Sequence, residues 1–470
     1  MDFSDNYNNV LNQLNVKIDT KKLKHNINKN TALLPFQSRE PERVIFENGF
    51  YRILGEFARI ELGKKWDNNL NVENLFNEIE EDEIENKVEI EEGSEEYLKK
   101  LIKEYLFNEK DELVILNPYL FLYIPLSNNK RSKGQHEIAL FFRDIFSKDN
   151  EKLREFFTNK ETNHTFIKFI LNYIPSLPNE DTPVKYVKKL DSIVDLFSED
   201  INFAVDNTEF LIENINKIFA YYYFFYISQL ILKLNKEFDT DDNEIDDLYF
   251  LLDWEKASKN RKTIKKGYKF LKEKNTSTFT RVCLIDQLNT LTGNNGYLQY
   301  DILNFYNDLN YESKKSLLYY LKKWTATYQY VQNFDDNKDS IEDYETTLPN
   351  DFKDLVNILF ETMNGEKGIS KETKSRYALN LEEIGKKYFL KRRGSYGYVF
   401  NIDRDMLLVI TALCVKNKKI KLGKLFKEYE RRGLFFDRYS KKEIVDFLNK
   451  LNLIDKKSDS GDAQYVKPIL

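Results

Sequence analysis

The chain has 470 residues, 72 Lys and Arg against 77 Asp and Glu, and a formal net charge of −5. Single cores stop growing near ~250–300 residues, so several structural units are expected. With 41% hydrophobic and 14% aromatic residues the chain is not intrinsically disordered, and only 16 Gly and 9 Pro interrupt it, which favours long helices.

The first residues, MDFSDNYNNVLNQLNVKIDT, have neither the basic start nor the apolar run of a secretory signal. Cys283 and Cys414 stand far apart with no Cys-x-x-Cys or Cys/His cluster, as in a reducing compartment, and a cytoplasmic protein is expected. Residues 1–130 read as a mixed α/β region. Within it, 72–96 (VENLFNEIEEDEIENKVEIEEGSEE) holds 12 acids and one lysine, the pattern of a solvated segment or, alternatively, of a DNA mimic or a site for a basic partner. DELVILNPYLFLYIPL, 111–126, predicts a buried strand ending at Pro118 and a second reaching Pro125.

A helical middle domain is expected over 131–388. IFAYYYFFYISQLILKL, 218–234, is the most apolar stretch, yet its uncharged run from Ile218 to Leu232 is shorter than the roughly 20 residues of a membrane span. It predicts a helix buried all round or facing a partner protein, with no membrane involved. In DWEKASKNRKTIKKGYKFLKEK, 253–274, Trp254, Ala257, Arg261, Ile264, Tyr268 and Leu271 fall at helical spacing, and Lys262, Lys265, Lys266 and Lys269 lie on the opposite, basic face. Such a face either neutralises phosphates or is merely solvated. Gly267 weakens a helix there by roughly 1 kcal/mol. Another helical stretch runs through Thr276–Trp324. QNFDDNKDSIEDYETTLPN, 332–350, reads as a polar linker, followed by a helix near Asp351–Phe360.

The last eighty residues carry the most specific pattern. FLKRRGSYGYVFNI, 389–402, predicts two β segments around Gly394 and Gly397, with Arg392 and Arg393 at the turn. RDMLLVITALCVK then predicts a helix, KIKL a short strand, and GKLFKEYERRG a second helix closed at Gly433. A third helix is predicted from near Lys441, on the reading that Ser440 and Glu443 form a capping box. LIDKK and AQYVKPI read as hairpin arms around a tip of Asp459, Ser460, Gly461 and Asp462. This is the element order of a winged helix, so the fold class expected is mainly α with minor β: a helical multi-domain protein with a C-terminal winged-helix domain at 389–470.

From Arg404 onward 16 Lys and Arg face 9 Asp and Glu, so that end carries +7 and the rest of the chain −12. Winged helices commonly place the start of the third helix against DNA. The candidate DNA-binding residues are therefore Arg438, Lys441 and Lys442, with Lys456 and Lys457 at the wing's base and Arg431, Arg432, Arg392 and Arg393 nearby. The acidic tip, Asp459 and Asp462, opposes phosphate contact and leaves a protein-binding winged helix open.

Bond-breaking machinery has no visible motif. NGEKGIS lacks the order of a phosphate-binding loop, HEIAL lacks a second His four residues on, and DTDDNEIDDLYF places Glu244 where a calcium loop needs Gly. No catalytic residue, metal or cofactor is assigned. At KRRGSYGYVF, YERRGLFFDRYS and KKSDSGDAQYVKPIL the chain resembles the DptG family, a subunit of DNA phosphorothioation-dependent restriction systems. The resemblance is most specific over 389–470, extends to the aromatic stretch at 218–234 and to DWEKASKNR, and does not reach the first 130 residues. It implies a bacterial defence protein that binds DNA and acts with ATPase subunits on DNA lacking phosphorothioate, as a non-catalytic adaptor. The alternatives are a stand-alone winged-helix transcriptional regulator, or a nuclease with an unrecognised metal site.

Overall fold

The computed structural model describes residues 1–67, 95–109, 112–147, 150–239, 244–456 and 464–470. Most of the acidic segment, Lys457 and the hairpin tip at 459–462 lie outside the described residues.

The aromatic stretch forms the C-terminal two-thirds of a 27-residue helix, Thr208–Leu234, hereafter the central helix. No Gly or Pro interrupts it, and every residue from Ile218 to Leu234 is buried. The side chains that shield it are themselves aromatic. Phe142 stacks on Phe219 at 4.5 Å between ring centroids, and Phe224 stacks on Phe389 at 4.4 Å. No described helix is long and apolar enough to cross a membrane. From Ile218 onward the central helix is buried all round by its own chain.

Helices pack around it from both directions of the sequence. Asp191–Val205 precedes it, Thr278–Thr292 and Lys371–Tyr388 follow, and Arg131–Phe142 lies against Tyr51–Glu61. The three regions expected from the sequence share one continuous cluster of buried apolar side chains, from Phe3 to Val466.

Two small sheets complete the fold. In the first, β1 (Leu251–Leu252), β2 (Leu390–Arg392) and β3 (Tyr398–Ile402) take the order β1-β3-β2, with Leu252 beside Ile402 in parallel and Leu390 opposite Phe400 in antiparallel register. The β2–β3 hairpin predicted at Gly394 and Gly397 is present, but it pairs with the middle of the chain and not with the tail. In the second sheet, β4 (Ile420–Lys421), β5 (Ile454–Lys456) and β6 (Gln464–Val466) take the order β4-β6-β5, all antiparallel. Of three tail helices, Leu422–Arg431 and Arg438–Lys450 pack on this sheet, and Arg404–Val415 packs on Leu422–Arg431 and on the central helix.

Three expectations are corrected. The stretch 111–126 is not a pair of strands: Leu113 makes one isolated bridge with Phe107, and Pro118–Tyr123 is a 3₁₀ helix. Asn117 caps it by accepting from the Tyr119 amide, and proline suits the first helical position because it has no N–H to satisfy. The stretch 253–274 is not one helix but a turn, a single helical turn at Lys262–Lys265 and a helix over Tyr268–Asn275. The Lys266 carbonyl is taken by the Tyr249 amide, and at Gly267 a Cβ would lie 2.0 Å from the Thr263 carbonyl oxygen. Tertiary pairing outweighs helix propensity there. The linker at 332–350 contains a helix, Ile341–Thr347, with a capping box between Ser340 and Asp343 and with Tyr344 buried.

The tail is fastened to the body by charge. Arg432, 1% exposed, donates from Nε and Nη2 to Asp200 at 2.8 and 2.6 Å, and Asp200 is fully buried. Tyr222 donates to the same carboxylate at 2.6 Å, while Tyr221 donates to the Arg432 carbonyl. Gly433 follows with φ +76°, pressed so closely on Phe225 that a Cβ would sit 2.2 Å from the ring. Arg432→Met is expected to destabilise the fold by about 3–5 kcal/mol, because Asp200 stays buried with only the Tyr222 hydroxyl and the Lys416 ammonium, 3.6 Å away, to offset its charge. Replacing Asp200 by Leu as well should recover most of that loss in urea unfolding, as expected for a buried pair and not for a packing defect.

Candidate nucleic-acid interface

The third tail helix begins at Arg438, three residues earlier than predicted, because Asp437 and not Ser440 is its cap. The Asp437 carboxylate accepts from the amides of Tyr439 and Ser440 at 3.0 and 3.1 Å. Ser440 lies within the helix, buried, and Glu443 accepts instead from the Trp254 indole N–H at 3.1 Å. The predicted capping box is therefore absent.

What fixes this helix start is Arg261. Its guanidinium pairs with Asp437 (2.5 and 2.8 Å) and with Glu255 (2.8 Å), and donates to Ser440 Oγ at 2.8 Å. Ser440 donates in turn to the second Glu255 oxygen at 2.7 Å, which also accepts from the Leu252 amide in β1. Burial pushes the Asp437 carboxyl up, but Arg261 and the Ser440 and Tyr439 amides together outweigh it and hold the group below its usual range. The cluster ties the start of the third tail helix to the sheet of the body. The sequence signal for it is the arginine at an apolar stripe position, whose counter-charge lies far along the chain.

The candidate cations divide by partner. Arg432 is buried on Asp200 and is corrected from a DNA ligand to a structural anchor. Arg393 is half-buried and donates to the Leu252 and Asp253 carbonyls and to Asn401, which holds the base of the β2–β3 hairpin. Arg431 pairs with Glu199 at 2.9 Å, Lys266 with Asp247 at 2.8 Å, and Lys441 with Glu430 at 2.9 Å. Arg392, Lys265, Lys269 and Lys442 are exposed, with no ion pair among the described residues. Lys456 ends β5, and Lys457 lies outside the described residues.

Two cations have an unusual seat. Arg438 donates to the Tyr439 hydroxyl at 2.6 Å, and Lys262 to the Tyr249 hydroxyl at 3.0 Å. Neutral phenols orient these cations without cancelling their charge. Arg438 and Lys442, one helical turn apart, share a face of the third tail helix, and Lys441 is adjacent.

Among the described residues no three His, Cys, Asp or Glu side chains are grouped to hold a metal ion. No protein-family model matches the chain, and no curated protein matches its sequence.

Arg261→Met is expected to lower stability by about 3–5 kcal/mol, since the buried Glu255 and the partly buried Asp437 both lose their cation. Asp437→Asn, which keeps a capping oxygen, should cost clearly less in the same urea titration. Equal losses would show that the Arg261–Asp437 pair alone carries the cluster, with nothing added by Glu255.

Proposed function

We propose that this chain is a non-catalytic, DNA-binding adaptor of a bacterial restriction complex of the phosphorothioation-dependent kind, cytoplasmic and working beside ATPase subunits. The observation that carries the DNA-binding part is the first turn and a half of the third tail helix. There Arg438 and Lys442 are exposed with no carboxylate partner among the described residues, on a helix whose start is locked to the body by Arg261. A locked helix holds its cations in place before the phosphates arrive, so less ordering entropy is lost on binding.

The tail is read as a winged helix. Helix, strand, helix, helix and a β5–β6 hairpin, with β4 alongside β6, support that reading. Docking would put the third helix against a groove, with Arg438, Lys441 and Lys442 on phosphates. Those contacts carry no sequence information, which suits an adaptor better than an operator-reading regulator. The restriction context and the ATPase partners rest on the resemblance to the DptG family at KRRGSYGYVF, YERRGLFFDRYS and KKSDSGDAQYVKPIL.

Replacing Arg438, Lys441 and Lys442 together by Ala is expected to weaken duplex binding alike on all sequences, and to reduce the slope of log affinity against log salt by about 2–3. An unchanged slope in fluorescence anisotropy would contradict the assignment of this face. Full-length tagged protein purified from its native host is expected to retain the products of neighbouring ATPase genes. Its recovery alone, at low salt, would contradict the adaptor role.

A further inference from the structure

Beside the start of the third tail helix lies a cleft of about 880 Å³, walled by the 249–262 segment on one side and by 436–441 on the other. One phosphate group needs far less space, and clefts of this size hold small organic ligands. The lining combines two chemistries. Arg261, Lys262, Arg438 and Lys441 bring four positive charges against the single carboxylate of Asp437, and Tyr249 and Tyr439 bring aromatic rings. Asp437 already satisfies the helix amides, so attraction for an anion comes from the side chains and not from the helix end.

The availability of these groups is decided by their partners. Arg261 is spent on Asp437, Glu255 and Ser440, and Lys441 is shared with Glu430. Lys262 and Arg438 rest on phenol oxygens, one on each wall, and an incoming phosphate displaces no carboxylate to reach them. Tyr439 is 51% exposed, with the Arg438 guanidinium 4.7 Å and the Arg261 guanidinium 5.1 Å from its ring centroid, so the ring is held between cations while half of it stays open to solvent. Ser258 and Asn260 supply neutral hydrogen-bonding groups at the mouth. Phosphate-seeking cations beside an aromatic ring match a nucleoside phosphate, whose base stacks and whose phosphate is neutralised.

We infer that this cleft receives an unpaired nucleotide of a DNA strand, such as a frayed or overhanging end, with its phosphate between Lys262 and Arg438 and its base on Tyr439. The inference rests on the DNA-binding reading above, because the cleft opens on the turn assigned there to phosphates. It adds a preference that a duplex surface alone does not have: a strand end binds better than a continuous duplex.

The test compares, by fluorescence anisotropy with the full chain at fixed salt, a hairpin-capped blunt duplex with the same duplex carrying a three-nucleotide single-stranded extension. The extension is expected to tighten binding about tenfold, the scale of one base stacked on an aromatic ring. In the double variant Ser258→Glu with Asn260→Glu, two exposed loop positions that leave the buried cluster intact, the ratio of the two affinities is expected to fall to about one. General repulsion acts on both ligands, so the ratio isolates the cleft. Equal affinities in the unaltered protein would overturn the inference while leaving duplex binding standing. Binding to the extension with none to the blunt duplex would uphold the cleft and overturn the duplex reading. A preference that survives millimolar deoxyadenosine 5′-monophosphate assigns the cleft to a strand, whereas its loss to the competitor overturns a strand-specific site in favour of a free nucleotide.

Discussion

The Arg432–Asp200 pair is the constraint on which the arrangement of this protein depends. Both charges are removed from water, and although Glu428 lies 2.9 Å from Arg432 and Lys416 3.6 Å from Asp200, the two-bond contact between them is the closest pairing either has. Their meeting requires the end of the second tail helix to sit against the helix before the central one, in one orientation. Tyr222 and Tyr221 then close around them, and the left-handed turn at Gly433 lets the chain pass Phe225 and return towards β1. The segment after it pairs with the body: the Phe435 carbonyl accepts from the Phe250 amide at 2.9 Å, just before the chain reaches Asp437. The second ionic cluster, around Arg261, can form only because the first has delivered Asp437 to it.

Two buried ionic clusters therefore convert a tail with its own helices and sheet into an extension of the aromatic body. An apolar seam of the same area would hold the tail as firmly but would specify its rotation less sharply, because hydrophobic contact is not directional. Directional bonds matter for a surface that meets a ligand of fixed geometry. Arg438 and Lys442 keep their relation to Lys262, on another segment, only while the tail does not turn. The same logic separates the cations by role. Those seated on carboxylates, Arg432 and Arg261, build the protein, while those on phenols or in water keep charge to offer.

Much of this organisation was legible in the sequence where a signal is local. The aromatic run at 218–234 is long, unbroken by Gly or Pro and too short to span a bilayer, and it is buried as that pattern implies. The glycine after the second tail helix, the β segments at 390–392 and 398–402 and the arms at 454–456 and 464–466 follow from turn chemistry that neighbours in sequence supply. Long-range chemistry was not legible. Arg432 reads as surface charge because its partner lies at 200, and Ser440 reads as a cap from the Glu443 that follows it, whereas Asp437, three residues earlier, takes the Tyr439 and Ser440 amides and starts the helix there. The stretch 253–274 has the spacing of one amphipathic helix, yet Arg261 in its apolar stripe marks the point where the chain turns inward to a nearby carboxylate, Glu255, and a distant one, Asp437. The candidate interface was visible as an excess of positive charge, and its selection of Arg438 and Lys442 over Arg432 and Arg393 was not.

Native-state hydrogen exchange tests the central claim most directly, that buried ion pairs make the tail one cooperative unit with the central helix. Amides in the interior of the second and third tail helices are expected to exchange with the same opening free energy as those of Ile218–Leu234, and to respond equally to added urea. A tail that opens at markedly lower free energy while the central helix stays protected would contradict the account.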